Sequence, residues 1–355
     1  MPSLLQNNPV ARILAWTFGI MGILGNLTIL WHQHKCKLLK IRAHNSSNTH
    51  QQHATRKTSL VTRYLICNLA IADLLGSIYL IIIASADVYY GYHYPNVFRN
   101  PNRGNVTNPW LLSPFCHLSR FIFFLSSIMS IALTFVIAVD RFIAVIFPYS
   151  KFRFDLYRCR IITTACWFIV ICYALIPTIR HLIYRITKGF DSNSNLCLYR
   201  DVVRKHTFNF IRSRQIIYFI LTGAIIVLYN AIIIYVKLKS SNMRSQLNKV
   251  EKKIFLVMLF ITISNIFTLL PTFLVMIFSN NREFNISIQS FQLMLPIFIF
   301  AIYFSAAINP IIYFVFTNSS KYKAILSSCF KTQKETTIPL NTHCSTLQKS
   351  NFVDS

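Results

Sequence analysis

The sequence predicts an all-α membrane protein whose helices cross a bilayer seven times, and three observations predict it. First, 54% of the 355 residues are apolar and only 13% are charged, against roughly 25% charged residues in an ordinary soluble domain. Second, apolar runs recur near 11–31, 61–84, 117–147, 159–180, 215–237, 253–279 and 287–316. Each is long enough for about 30 Å of hydrocarbon at about 1.5 Å per residue. Third, the 36 Lys+Arg, set against 10 Asp+Glu for a formal net charge of +26, gather in particular stretches of chain, mostly between those runs. A simple soluble enzyme is thereby disfavoured. So is a β-barrel, because the runs are continuous and rich in Ile, Leu and Phe instead of alternating with period two.

Taken in order, residues 1–10 read as a short polar N-terminus ahead of the membrane region 11–316. The apolar stretch 13–31 exceeds the roughly 7–15-residue core of a cleaved signal peptide and is expected to be a retained first span. Residues 32–60 form a long basic segment rich in Asn, His and Gln, with five of the ten histidines between His32 and His53. His32, His34 and Cys36 have ligand-like chemistry, but a solvated flexible loop is the expectation. The second span carries Asp73, and the third ends at Asp140-Arg141. The fourth carries Trp167, the fifth contains no proline, the sixth reads Thr268-Leu269-Leu270-Pro271, and the seventh ends in Asn309-Pro310-Ile311-Ile312-Tyr313.

Orientation follows from the loop bases. With the N-terminus outside, 23 of the 36 Lys+Arg fall inside: seven in 31–63, five in 141–160, six in 237–253 and five after 320. The outer side then holds 13, eight of them in 180–214. An N-outside, C-inside topology is expected, with the inner bases meeting anionic lipids. Ionisable residues inside spans are costly and read as functional by default. Asp73 therefore requires a wet interior with partners, and a polar network satisfied by water alone would meet that need.

The motifs Gly25-Asn26, Leu69-Ala70-Ile71-Ala72-Asp73, Asp140-Arg141-Phe142, Trp167 and Asn309-Pro310-Ile311-Ile312-Tyr313 occur in this order and spacing. In them the chain resembles the rhodopsin-like (class A) G-protein-coupled receptors across 11–330, most closely the invertebrate neuropeptide receptors. The resemblance implies a seven-helix bundle followed by a short amphipathic eighth helix at 317–330 and a cytoplasmic tail at 331–355. It implies a plasma-membrane receptor that binds an extracellular ligand, a neuropeptide, and activates a heterotrimeric G protein, with arrestin as a second inner partner. Neither nucleic acid nor an enzymatic reaction is expected, and no cofactor beyond a sodium ion.

The same resemblance assigns site residues. Asp73, Ser130, Ser305 and Asn309 match a polar core that takes sodium, the alternative being water alone. Arg141 is expected to pair with Asp140 and, at rest, with Glu251, which stands twenty residues before Pro271. The bland alternative is that Glu251 only offsets Lys252 and Lys253, since surface pairs contribute about 0–1 kcal/mol. Tyr229 and Tyr313 match tyrosines that meet near the released arginine, and both are equally readable as interfacial belt aromatics. Cys116 and Cys197 are implied as a disulfide, sensible in the oxidising compartment. Asn105 is the expected glycosylation site and Cys329 a palmitoylation candidate.

Ligand class is narrowed by what is missing. Phe123 stands where amine receptors of the family carry an aspartate, and no lysine lies between Asn285 and Phe316 for a retinal Schiff base. The aromatic outer mouth (Tyr89, Tyr90, Tyr92, Tyr94, Trp110) and the basic segment containing Arg180 and Arg185 suit a peptide or another anionic ligand. Phe123, Arg180, Arg185 and Leu269 are the ligand-facing candidates. Leu269 replaces the family's usual tryptophan and the fifth span lacks its usual proline, so a weakly coupling or decoy receptor is the alternative. A transporter is less favoured, because neither internal repeats nor a path of ionisable residues is visible.

Overall fold

In a computed structural model the described residues are 5, 8–42, 50–94, 109–147, 154–188, 196–197, 205–238, 259–261, 263–264, 267, 297 and 300–317. Among them five helices are long and apolar enough to cross a membrane, within Pro9–His34, Leu60–His93, Pro114–Ile146, Leu156–Ile176 and Ile216–Tyr235, with a shorter apolar segment at Phe304–Phe314. These are the first five spans and the seventh. Most of the sixth span, the eighth helix expected at 317–330 apart from Thr317, and the tail at 331–355 lie outside the described residues.

Several helices overrun the apolar segments that announce them. The first is Pro9–Arg42 and the second His50–His93, so helix occupies much of the segment expected to be a flexible loop. The reason is local: residues 32–60 contain neither Gly nor Pro, and Lys, Leu, Arg, Gln and Ala all tolerate helix well. Hydropathy measures the length that suits hydrocarbon, not where backbone hydrogen bonding stops. Likewise the fourth helix is Leu156–Lys188 and the fifth Lys205–Leu238. Six of the eight bases expected in an outer loop therefore sit on helical extensions.

The third helix, Pro114–Ile146, is the most buried of the five spans and packs against the second, fourth and fifth helices. Its start is written in Ser113-Pro114. The Ser113 hydroxyl accepts from the Phe115 N–H at 3.2 Å, and proline fits the first turn, where no backbone donor is needed. Its end falls at Phe147, ahead of Pro148, a position pushed away from helical geometry.

The first helix packs on the second and on the seventh, Phe304–Thr317. Asn26 joins them, its buried amide donating to the Gly22 and Ala306 carbonyls at 2.8 and 2.9 Å. Close approach is made possible by glycine: a Cβ on Gly25 would stand 2.6 Å from Pro310 Cβ, and one on Gly76 would stand 2.4 Å from the Tyr303 ring. Because the proline ring cannot swing aside, Gly25→Ala is expected to destabilise the bundle by about 1–3 kcal/mol. This would be read as a lower Tm of the purified protein; an unchanged Tm would contradict so tight a contact. The second and fourth helices are joined by Trp167 Nε1 donating to Asn68 Oδ1 at 3.1 Å. Of the cysteines expected to act as small apolar residues, Cys159 is buried, Cys67 and Cys166 are half-buried, and Cys172 is exposed.

Candidate functional site

Asp73 is buried in the middle of the second helix. Its two carboxylate oxygens take different partners: Ser130 of the third helix donates to Oδ1 at 2.9 Å, and Asn309 Nδ2 of the seventh donates to Oδ2 at 2.8 Å. The other end of the Asn309 amide is also engaged, because the Ser264 hydroxyl donates to Oδ1 at 2.8 Å. Ser264 belongs to the sixth span. Four spans thus meet in one chain of bonds, and hydrogen bonds to a charged group contribute about 1.5–3 kcal/mol each.

Beside this network lies a cavity of about 20 Å³ whose lining includes Asp73, Ser126, Ser127, Ser130, Tyr303 and Ser305. That is room for about one water-sized particle. The lining suits a small hard cation, since Asp73, Ser130 and Ser305 offer only oxygen donors. Asn309 lends its amide to the carboxylate.

Toward the C-terminal end of the third helix, Arg141 is buried with Asp140. Its Nε donates to Asp140 Oδ2 at 3.0 Å, and an NH2 contact reaches the same oxygen. The NH2 group also donates to the Thr62 hydroxyl of the second helix at 2.6 Å. The arginine is therefore folded against its own helix and against Thr62 of the second. Glu251, the expected partner from the sixth span, lies outside the described residues.

Tyr229 and Tyr313 are both buried, which removes the reading of either as an interfacial belt aromatic: their helices turn them into the bundle. The Tyr313 hydroxyl accepts from Gln33 Nε2 of the first helix at 2.7 Å, a partner that motif spacing did not suggest.

Near the N-terminal end of the third helix, Cys116 is joined to Cys197 by a disulfide whose Cα atoms are 5.4 Å apart. Two side chains hold the loop at the same point. Arg120 Nε donates to the Cys197 carbonyl at 2.8 Å, and the Tyr79 hydroxyl donates to the Leu196 carbonyl at 3.3 Å. Cys197 itself takes φ 56, a left-handed conformation unusual without glycine. Sequence reasoning missed Arg120, although it stands one turn after Cys116 in an apolar run, the signal that should have raised it. Phe123, a ligand-facing candidate, is buried in an aromatic cluster with Tyr79 and Tyr303 at ring-centroid distances of 5.2 and 6.1 Å. It forms part of the floor beneath the disulfide loop.

Asp87, near the C-terminal end of the second helix, is fully buried and engaged. The Leu5 N–H donates to its Oδ1 at 2.9 Å and Arg12 Nε to its Oδ2 at 2.8 Å. The N-terminal segment is thus seated at Leu5, which is itself buried. Of the mouth aromatics, Trp110 is buried against Tyr90, whereas Tyr89, Tyr92 and Tyr94 are exposed. Arg180 and Arg185 lie on the fourth helix, though their side chains are outside the described set. Leu269, Asn105 and Cys329 lie outside the described residues.

Long apolar helices joined through a buried polar core define a multi-pass membrane protein built as a receptor bundle. A family profile described as 7 transmembrane receptor (rhodopsin family) matches residues 51–313, and the chain belongs to that family. It is similar to the G-protein coupled receptor GRL101 of Lymnaea stagnalis, 27% identical over 194 residues, covering 55% of this chain and 15% of the relative. It is also similar to Relaxin receptor 2 of Canis lupus familiaris, 25% identical over 353 residues, covering 94% of this chain and 42% of the relative. The Thyrotropin receptor of Ovis aries is 26% identical over 169 residues, covering 47% of this chain and 18% of the relative. This chain spans less than half the length of each.

Proposed function

We propose that this receptor binds a peptide or another anionic ligand at its outer mouth and activates a heterotrimeric G protein from its inner face. The observation that carries the reading is the Ser130–Asp73–Asn309–Ser264 chain, which ties four spans at mid-membrane. A ligand that shifts any of those spans alters a bond to the others, which is how a local contact becomes a rearrangement of the whole bundle. Arg141, held by Asp140 and Thr62, is the group released on the inner side, with Glu251 as its further resting partner. Arrestin is the second inner partner, and the inner bases favour anionic lipids.

The N-terminus is outside in this reading, which leaves Asn105 open to glycosylation and Cys329 to palmitoylation on the inner side. A sodium ion held by Asp73, Ser130 and Ser305 would supply the positive charge that the buried carboxylate calls for, and would favour the resting arrangement. The ligand class rests on the outer charge. With Asp87 already occupied by Arg12, the outer mouth retains an excess of bases that attracts negative groups. Two of the relatives are named as receptors for relaxin and for thyrotropin; a peptide ligand is proposed here from the aromatic and basic mouth.

A peptide library applied to cells expressing the chain, read by G-protein activation, tests this. The active peptides are expected to carry acidic groups, and Arg180→Ala with Arg185→Ala to reduce their potency about tenfold, one ionic contact converted at about 1.4 kcal/mol per decade. Unchanged potency in that double variant would exclude the anionic ligand.

A further inference from the structure

We propose that Gln33 and Arg63 are positioning residues that hold Tyr313, and with it the inner end of the seventh helix, in the resting arrangement; the inference rests on the switching role proposed above. The bonds run in series. Arg63 Nε donates to Gln33 Oε1 at 2.7 Å and its NH2 group to the Gln33 backbone carbonyl at 2.9 Å. Gln33 Nε2 then donates to the Tyr313 hydroxyl at 2.7 Å.

The chemistry of the donors fixes the direction of the chain. Guanidinium has donors only, so the Gln33 atom facing Arg63 must be the carbonyl oxygen. The NH2 end is thereby aimed at Tyr313, and the amide cannot flip without setting its NH2 against the Arg63 guanidinium. Gln33 and Tyr313 are both buried, and the His32 ring meets Tyr313 edge-on at a centroid distance of 6.3 Å. Tyr313 is accordingly held by the first helix, and the first helix by the second.

The residue before Arg63 extends the device. Thr62 accepts from Arg141 at 2.6 Å. Consecutive side chains on a helix diverge by about 100°, so Thr62 reaches the third helix while Arg63 reaches the first. One turn of the second helix therefore clasps both Arg141 and, through Gln33, Tyr313. Release of either residue removes a bond from the same turn, and an interaction made in one state only stabilises that state. The resting state is held from Thr62 and Arg63 of the second helix as well as by Glu251 in the proposed switch.

The test uses the full chain in lipid nanodiscs with a panel of purified G proteins, measuring ligand-independent nucleotide exchange per folded receptor, and a fluorotyrosine at 313 as a local reporter. Gln33→Ala and Arg63→Ala are each expected to raise exchange about tenfold, equivalent to about 1.4 kcal/mol, and to shift the fluorine resonance. Gln33→Glu, whose carboxylate accepts from both Arg63 and the tyrosine hydroxyl, should stay near the parent level. In a Tyr313→Phe background, Gln33→Ala should add nothing. A purely structural role would lower Tm and leave exchange per folded receptor unchanged. Unchanged exchange in Gln33→Ala and Arg63→Ala, while Arg141→Ala still abolishes exchange, would overturn the inference and leave the receptor reading standing. If Arg141→Ala also exchanges normally, the switching reading fails and carries the inference with it.

Discussion

Asp73→Asn is expected to cut G-protein activation at least tenfold while leaving the bundle folded. The reason is the ordering of one amide. Asn309 points Nδ2 at Asp73 and Oδ1 at the Ser264 hydroxyl. An asparagine at 73 that keeps its oxygen toward Ser130 turns its own NH2 toward that of Asn309, setting donor against donor. Flipping Asn309 relieves this by turning its NH2 toward the Ser264 hydroxyl, which then accepts while donating to the Ile261 carbonyl at 2.8 Å. In either arrangement the charged acceptor shared by Ser130 and Asn309 is gone, and a charge-assisted bond of about 1.5–3 kcal/mol corresponds to roughly tenfold or more. The reciprocal double variant Asp73→Asn/Asn309→Asp places a carboxylate between the new amide at position 73 and Ser264, so that both donors again face an acceptor, and should recover much of the lost activity. Sodium gives an independent readout. Replacing choline chloride by sodium chloride at equal ionic strength should raise Tm by about 2–4 °C, about 1 kcal/mol of linkage, and Asp73→Asn should abolish that rise. Full activity in the single variant, or no recovery in the reciprocal one, would show that the network does not transmit the signal.

Arg141→Ala should reduce nucleotide exchange to background, the largest functional loss expected of any single substitution. It also leaves Asp140 buried without its guanidinium, an uncompensated charge that costs about 3–5 kcal/mol, so a lower Tm is expected with it. Asp140→Asn/Arg141→Gln separates the two effects. With both charges removed the Tm should return to within about 1 kcal/mol of the parent, because neutralising a buried pair together is often tolerated, while exchange stays at background. Restored exchange in the double variant would mean that the positive charge is dispensable on the inner face.

How much of this was legible beforehand depends on what each residue advertises. Asp73 and Arg141 were found because ionisable groups in apolar runs are conspicuous, and Asn309 because its neighbours form a motif. Ser264 was not, since serine in a span is unremarkable until its partner is known. Arg120 had the right signal and was absorbed into a count of outer bases. Gln33, Thr62 and Arg63 were hidden for another reason. They fall at the edge of a segment read as a loop, whereas the first and second helices in fact run on to Arg42 and back to His50. Only three-dimensional packing brings Gln33 within 2.7 Å of the Tyr313 hydroxyl across 280 residues of chain. The seated Leu5 and its bond to Asp87 were likewise invisible, because Met1, Leu4, Leu5 and Val10 are too scattered along the first ten residues to carry a periodicity.

Nucleotide exchange on a panel of purified heterotrimeric G proteins, measured for the full chain in lipid nanodiscs beside its Arg141→Ala variant and across a peptide library, tests the central claim most directly. Exchange above the Arg141→Ala level with at least one G protein is the expected result. Equal exchange by the two proteins, with every G protein and every peptide, would contradict a receptor that signals through its inner face.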